Sequence, residues 1–137
     1  MADAVTSQTI VDTEKRVVMK FTNLSDGSGE SAVKKVDVST LTDHPDGTAC
    51  SQVTIDQIWY DVGGMRLAIY FDASTSALAL TIGGSAAAGN MGGRMDFRSF
   101  GGIKNNASSP TGDLDFTTSG HTNLDHYTIV LEMRKQY

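Results

Sequence analysis

His121, Asp125 and His126 are side chains of the types that bind metal ions or relay protons. Ligands on one strand share a face only at even spacing, and the two histidines are five residues apart. A zinc site needs a third and fourth ligand, and His44 and Cys50 lie far off without a pattern. The plain reading is a polar turn entering a strand. Asp26-Gly27-Ser28-Gly29-Glu30 places oxygen donors at alternate positions, as a calcium loop does, but lacks the roughly twelve-residue frame of an EF-hand. A solvated loop accounts for it. The Gly83 to Gly93 segment is glycine-rich, yet it has neither the GxxxxGK[ST] arrangement nor a capped helix after it.

Nucleophile and carboxylate patterns are equally bare. Ser119 precedes His121 without a Gly-x-Ser-x-Gly elbow, and no histidine is placed to activate Cys50. Asp113 and Asp115 share a strand face opposite Leu114 and Phe116, which reads as the wet side of an edge strand. A glycosidase pair would need a groove that a chain of this size is ill suited to build. Arg94 and Arg98 interleave with Phe97 and Phe100, a combination that can stack on nucleic acid. With Asp96 inside it, the group reads better as ion-pair donors at a protein interface. Trp59, Tyr60 and Tyr70 are the residues for an aromatic sugar platform, although a core role suits Trp59 better. No catalytic, cofactor-binding or metal residue is assigned, and an enzyme is not expected.

The elements that would position these residues are strands. Val17, Met19 and Phe21 alternate with Val18, Lys20 and Thr22. Met65, Leu67, Ile69 and Phe71 do the same, and so do Tyr127, Ile129, Leu131 and Met133. Such period-two patterns put one set of side chains on one face of a sheet. Val33 to Val38, carrying Lys34 and Lys35, reads as an edge strand blunted by charge. Val53 to Tyr60 changes phase midway, so a bulge is expected near Asp56 or Gln57. Leu78, Leu80 and Ile82 should return as a hairpin from the Met65 strand, making residues 53 to 82 a three-stranded meander. Met95 with Phe97, and Leu114 with Phe116, mark two short strands. Asn23 to Ser31, Gly83 to Gly93 and Gly101 to Gly112 are long loops, either contact surfaces or segments that a partner orders. Residues 1–10 read as an extended N-terminal arm.

Composition fits this picture. The chain has 137 residues, 14 glycines and 2 prolines, and 39% of it is hydrophobic, which fits a single domain over 1–137 with a core of its own. One cysteine excludes an internal disulfide. The start of the sequence has no basic region or apolar core, so no signal peptide is expected. No run approaches the ~18 apolar residues of a membrane span. With 16 acidic against 11 basic residues and a net charge of -5, nucleic acid is not the expected partner. The fold class is all-β: one antiparallel β-sandwich or partly closed barrel, jelly-roll-like, of about seven or eight strands with long Gly-rich loops.

The stretch Arg16-Val17-Val18-Met19-Lys20-Phe21-Thr22-Asn23-Leu24-Ser25-Asp26-Gly27-Ser28-Gly29-Glu30, with Lys35-Val36-Asp37-Val38-Ser39, resembles small virion structural proteins of tailed phages of marine bacteria, notably cyanophages. Phe100-Gly101-Gly102-Ile103-Lys104-Asn105-Asn106, Gly112-Asp113-Leu114, and Gly120-His121-Thr122 before the Tyr127 to Lys135 strand extend the likeness over most of the chain. The resemblance implies a capsid decoration or cement protein on the bacteriophage virion surface, assembled in the host cytoplasm. Its partner would be the major capsid protein or another virion protein, and it would act as a homo-oligomer such as a trimer. A neck, tail or fibre-attachment component is the nearest alternative. A carbohydrate-binding β-sandwich module is the alternative of another class.

Overall fold

A computed structural model describes residues 3–83 and 90–137. The chain forms nine strands: β1 (Ala4–Asp12), β2 (Arg16–Asp26), β3 (Val33–Val36), β4 (Gln52–Gly63), β5 (Arg66–Ala73), β6 (Ala77–Gly83), β7 (Asn90–Asp96), β8 (Pro110–Ser119) and β9 (Asn123–Gln136). Single 3-10 turns at Val38–Thr40 and Arg98–Phe100 are the helical pieces among the described residues.

Two antiparallel sheets result, ordered β1-β2-β9-β4-β7 and β3-β8-β5-β6. With β1 set aside, the first four strands pair with the last four in reverse order: β2 with β9, β3 with β8, β4 with β7 and β5 with β6. This is one long hairpin rolled up, so that β9 also meets β4 and β8 also meets β5. The connectivity is that of a jelly roll, with β1 added as a ninth strand on the outside of the larger sheet.

The three alternating patterns supply the core. Val17, Phe21, Leu67, Ile69, Ile129, Leu131 and Met133 are fully buried, and a single apolar cluster draws on both sheets. Phe116 of β8 joins the layers. Its ring meets Phe21 of β2 edge-on at 5.1 Å between centroids, and Tyr127 of β9 at 5.9 Å. Edge-to-face pairs at such separations add to the burial term.

The phase change in β4 is a bulge. Its register against β9 shifts between Ile55 and Gln57, so Asp56 is the extra residue, and Ile55 and Ile58 both stay in the core. The β5–β6 hairpin forms as expected. The three-stranded meander does not. β4 lies in the larger sheet between β9 and β7, whereas β5 lies in the smaller one. Gly64, in the left-handed region at φ +78°, and buried Met65 carry the chain across the sandwich. An arch between sheets and a hairpin within one need the same short glycine-containing turn, which is why the sequence favoured the wrong one.

Other expectations shift too. Phe97 lies just past the end of β7. β8 spans Pro110–Ser119 and is an interior strand rather than a short edge. Residues 1–10 are not a free arm, because Ala4–Asp12 pairs with β2 along its length. Asn23–Asp26 belongs to β2, and the Gly101 to Gly112 loop is tied to β4 by an Ile55–Ile103 bridge, with N–H to O distances of 3.0 and 2.7 Å. Of the Gly83 to Gly93 loop, 90–93 form part of β7 and 84–89 lie outside the described residues.

Candidate functional site

β1 forms because Val5, Thr6, Thr9, Ile10 and Val11 favour extended backbone. Its position is unusual. Ala4 through Ile10 are all exposed, on both faces of the strand, with Val5 at 45% and Ile10 at 50%. The larger sheet is one strand wider than the smaller, so β1 overhangs the sandwich and packs on β2. An edge strand offers a row of unpaired amides and carbonyls, which proteins usually guard with lysine, proline or short length. β1 runs nine residues with no charge before Asp12 and no proline. Its one irregularity is a register shift at Ile10.

Two carboxylates clip this strand to the body. Before its start, Asp3 Oδ1 accepts from the backbone amides of Asp26 (3.2 Å) and Gly29 (3.1 Å), and Oδ2 accepts from Asn23 Nδ2 at 3.0 Å. Burial works against ionised Asp3, but these bonds outweigh it and lower its pKa. At the far end, Asp12 pairs with Lys135 Nζ and accepts from the Thr42 amide at 3.0 Å. Burial again opposes, and the Lys135 and Thr42 bonds hold the Asp12 pKa below its usual range. The strand is therefore fixed at both ends and open between them.

The Asp3 clip also explains the loop that looked like a calcium site. The amides of Asp26 and Gly29 converge on a carboxylate, where a cation site would need converging oxygens. Glu30 turns inward: its carboxylate meets Lys35 Nζ at 2.5 Å and accepts from Tyr127 Oη (2.5 Å) and Asn23 Nδ2 (2.8 Å). Burial, then the Glu30 bond, raises the Tyr127 pKa. Lys35, expected to guard an edge, is thus buried in the end of the sandwich. Of the two lysines on β3, only Lys34 is exposed.

The remaining sequence candidates do not converge. His121 Nδ1 lies 3.4 Å from Thr118 Oγ1 rather than against Ser119, and its ring fills the space where a Cβ of Gly29 would sit. Asp125 accepts from the Thr122 amide at 2.6 Å and covers Gly64. His126 sits on β9 between Leu24 and Gly63. No cluster of three or more His, Cys, Asp or Glu able to hold a metal occurs among the described residues. Cys50 is 4% exposed, its Sγ donates to the Gln52 carbonyl, and burial raises its thiol pKa. Arg98 forks onto Asp96 at 3.0 and 2.7 Å, and its bonds lower the Asp96 pKa to about 2. Arg94 donates to Gln57 Oε1 at 3.3 Å. Both arginines are engaged within the chain.

The aromatic platform divides. Ile58 and Val62 are core and Tyr60 packs against it, so alternation puts Trp59 on the outer face of the larger sheet, half-buried beside Val130 and Arg94. It is not a core residue. Tyr70 lies on the outer face of the smaller sheet, on the other side of the molecule. Asp113 and Asp115 also face outward there, yet each is 6% exposed, since β8 is interior and not an edge. Sequence reasoning missed Asp3 and Asp12, and it read Asp113 and Asp115 as the wet side of an edge strand where both are buried on an interior one.

Compared with known proteins, the chain matches no family model and no curated sequence. Among solved structures it is similar to a mutant family 29 carbohydrate-binding module, with 9% identity and a TM-score of 0.34 over 96% of this chain and 92% of that one. A second family 29 module gives 8% identity and a TM-score of 0.32, over 96% and 89%.

Proposed function

We propose that this protein is a non-enzymatic structural component of a tailed-phage virion, one that binds the capsid exterior and stabilises the mature shell. The observation that supports this most is the overhanging, uncharged edge of β1. A rigid jelly roll holds it by carboxylate clips at both ends, so another sheet can add to it without any disordered segment having to fold first. Main-chain hydrogen bonds would supply the affinity, and the exposed side chains of Ala4–Ile10 the specificity. A protein that binds only the expanded shell stabilises that state by RT ln(1 + [L]/Kd) per site. Many weak sites on one shell then add up. A trimer would place three such edges around a symmetry axis. A neck or tail position would use the same edge, and copy number separates the two.

The test uses expanded shells assembled without the protein. Added back, it should raise the temperature of shell disruption. Ser7→Lys with Thr9→Lys puts charge on exposed β1 positions without touching the core, and should abolish binding while leaving the unfolding free energy within about 1 kcal/mol of the parent. Undiminished binding by this folded variant would remove β1 from the interface.

A further inference from the structure

Among the described residues the two sheets end in β1 and β7, and in β3 and β6. β7 carries Arg94 and Asp96, and β3 is four residues long with two lysines. β6 is uncharged, but its ladder against β5 slips at Ala79, in the middle of its seven residues. β1 alone of these edges is long and uncharged with an unbroken run, pairing regularly from Ala4 to Thr9. The clips at Asp3 and Asp12 hold it in place, so little ordering accompanies the addition of a further strand. A bare edge of this kind is an aggregation hazard in any protein that leaves it uncovered.

β1 suits a second copy of itself. Side chains alternate between faces, so in an antiparallel two-fold pair the positions that meet must lie an even number apart. An axis at Ser7 sets Thr6 opposite Gln8, Val5 opposite Thr9, and brings Ala4 to Ile10 of the other copy. An axis at Thr6 would leave Ile10 unmatched. Val5 and Ile10 are 45% and 50% exposed, and Leu24, beside Ala4 on β2, is 49% exposed. The apolar end of each strand thus covers the apolar end of the other. No like charges meet, because Ala4 to Val11 carry none. Lys20 lies opposite Gln8 on β2, and its two copies would be three strand spacings apart, about 14 Å. That exceeds the screening length of about 8 Å. Both faces of Ala4 to Ile10 are exposed, so the overhang also keeps the two smaller sheets from colliding.

We infer that in the free protein β1 pairs antiparallel with β1 of a second copy, about a two-fold axis at Ser7. Two five-stranded sheets then become one of ten strands. The contact is isologous, so it closes at two copies and does not propagate into a filament. For its consequence the inference rests on the reading of β1 as the shell-binding edge. A strand of the shell displaces the second copy, and the edge is covered until a shell is present.

Cysteine cross-linking of the intact protein tests this. Facing Cα atoms in an antiparallel pair are about 4.5–5.5 Å apart, within the span of about 4.4–6.8 Å that a disulfide bridges. Ser7→Cys should therefore link to a dimer on mild oxidation. Gln8→Cys, whose counterpart would lie about 8 Å away, should link at least about tenfold more slowly. The parent, whose Cys50 is buried, should not link at all. Sedimentation should give the parent twice the 14.6 kDa of the chain, and Ser7→Lys, which sets two ammonium groups face to face, the single mass. A parent that stays monomeric at millimolar concentration, or Gln8→Cys linking as fast as Ser7→Cys, would overturn the inference. Shell binding is measured separately. The linked Ser7→Cys dimer should fail to bind expanded shells, and reduction should restore binding. A linked dimer that binds shells as well as the reduced protein would leave the pairing standing and remove β1 from the shell contact.

Discussion

Asp115→Asn should make the protein more stable, and only above about pH 4. In the folded chain burial and Asp72 raise the Asp115 pKa from 3.8 to about 6. The folded state therefore holds this proton more tightly than the unfolded one. Stability falls as pH rises between those values and then levels off, because folding above pH 6 must bury the ionised group. At about 1.4 kcal/mol per pH unit the loss is at most about 3 kcal/mol, reduced by whatever Lys34 and solvent ions screen. Asparagine has no such titration, and its amide can donate to Asp72. Urea unfolding of both proteins at about pH 4 and pH 7.5 isolates the effect, since groups common to both cancel in the difference. The variant should gain about 2–3 kcal/mol at pH 7.5 and close to nothing at pH 4. An equal difference at both pH values, or a variant less stable at pH 7.5, would refute the reasoning.

Phe116→Ala removes the ring that ties Phe21 and Tyr127 of the larger sheet to the smaller one and should cost about 3–5 kcal/mol by urea unfolding. Gly112→Ala should cost about 2 kcal/mol or more. Its φ is +94° and an added Cβ would overlap the Ser51 carbonyl, so thermal unfolding should detect it readily. Asp12→Asn leaves the ammonium of Lys135, whose side chain is 0% exposed, without its counter-charge and should cost about 3–5 kcal/mol. Because the Asp12 pKa is lowered on folding, its contribution is fully present above 3.8 and is lost as pH falls through the lowered value. The penalty of the variant should accordingly shrink in acid. Hydrogen exchange should also show β1 amides near Asp12 losing protection first.

What the sequence revealed followed from where water is excluded on one side only. β2, β5 and β9 each have one wet face and one dry one, so Met19, Ile69 and Leu131 are marked by alternation. The Asp56 bulge was legible because Ile55 and Ile58 break that alternation by one residue. β1 was illegible as a strand because both its faces are wet, and no period marks an element that buries neither. Asp113 and Asp115 misled for the opposite reason. Carboxylates on a strand ordinarily mean solvent, and only the placement of β8 between β3 and β5 covers them. Trp59 was misplaced because a large aromatic ring suggests a core role, although the phase of Ile58 and Tyr60 beyond the bulge already puts Trp59 on the opposite face. The jelly-roll order itself depends on which strands meet across long separations, such as β2 with β9, and alternation within a strand carries no information about its partner.

The most direct test of a virion role is the stoichiometry of this protein in purified particles, measured by quantitative mass spectrometry against the major capsid protein. A ratio near one per capsid subunit, or a simple fraction of it, is the predicted result for a decoration protein. A few copies per particle would move it to the neck or tail, and absence from the particle would contradict the virion role.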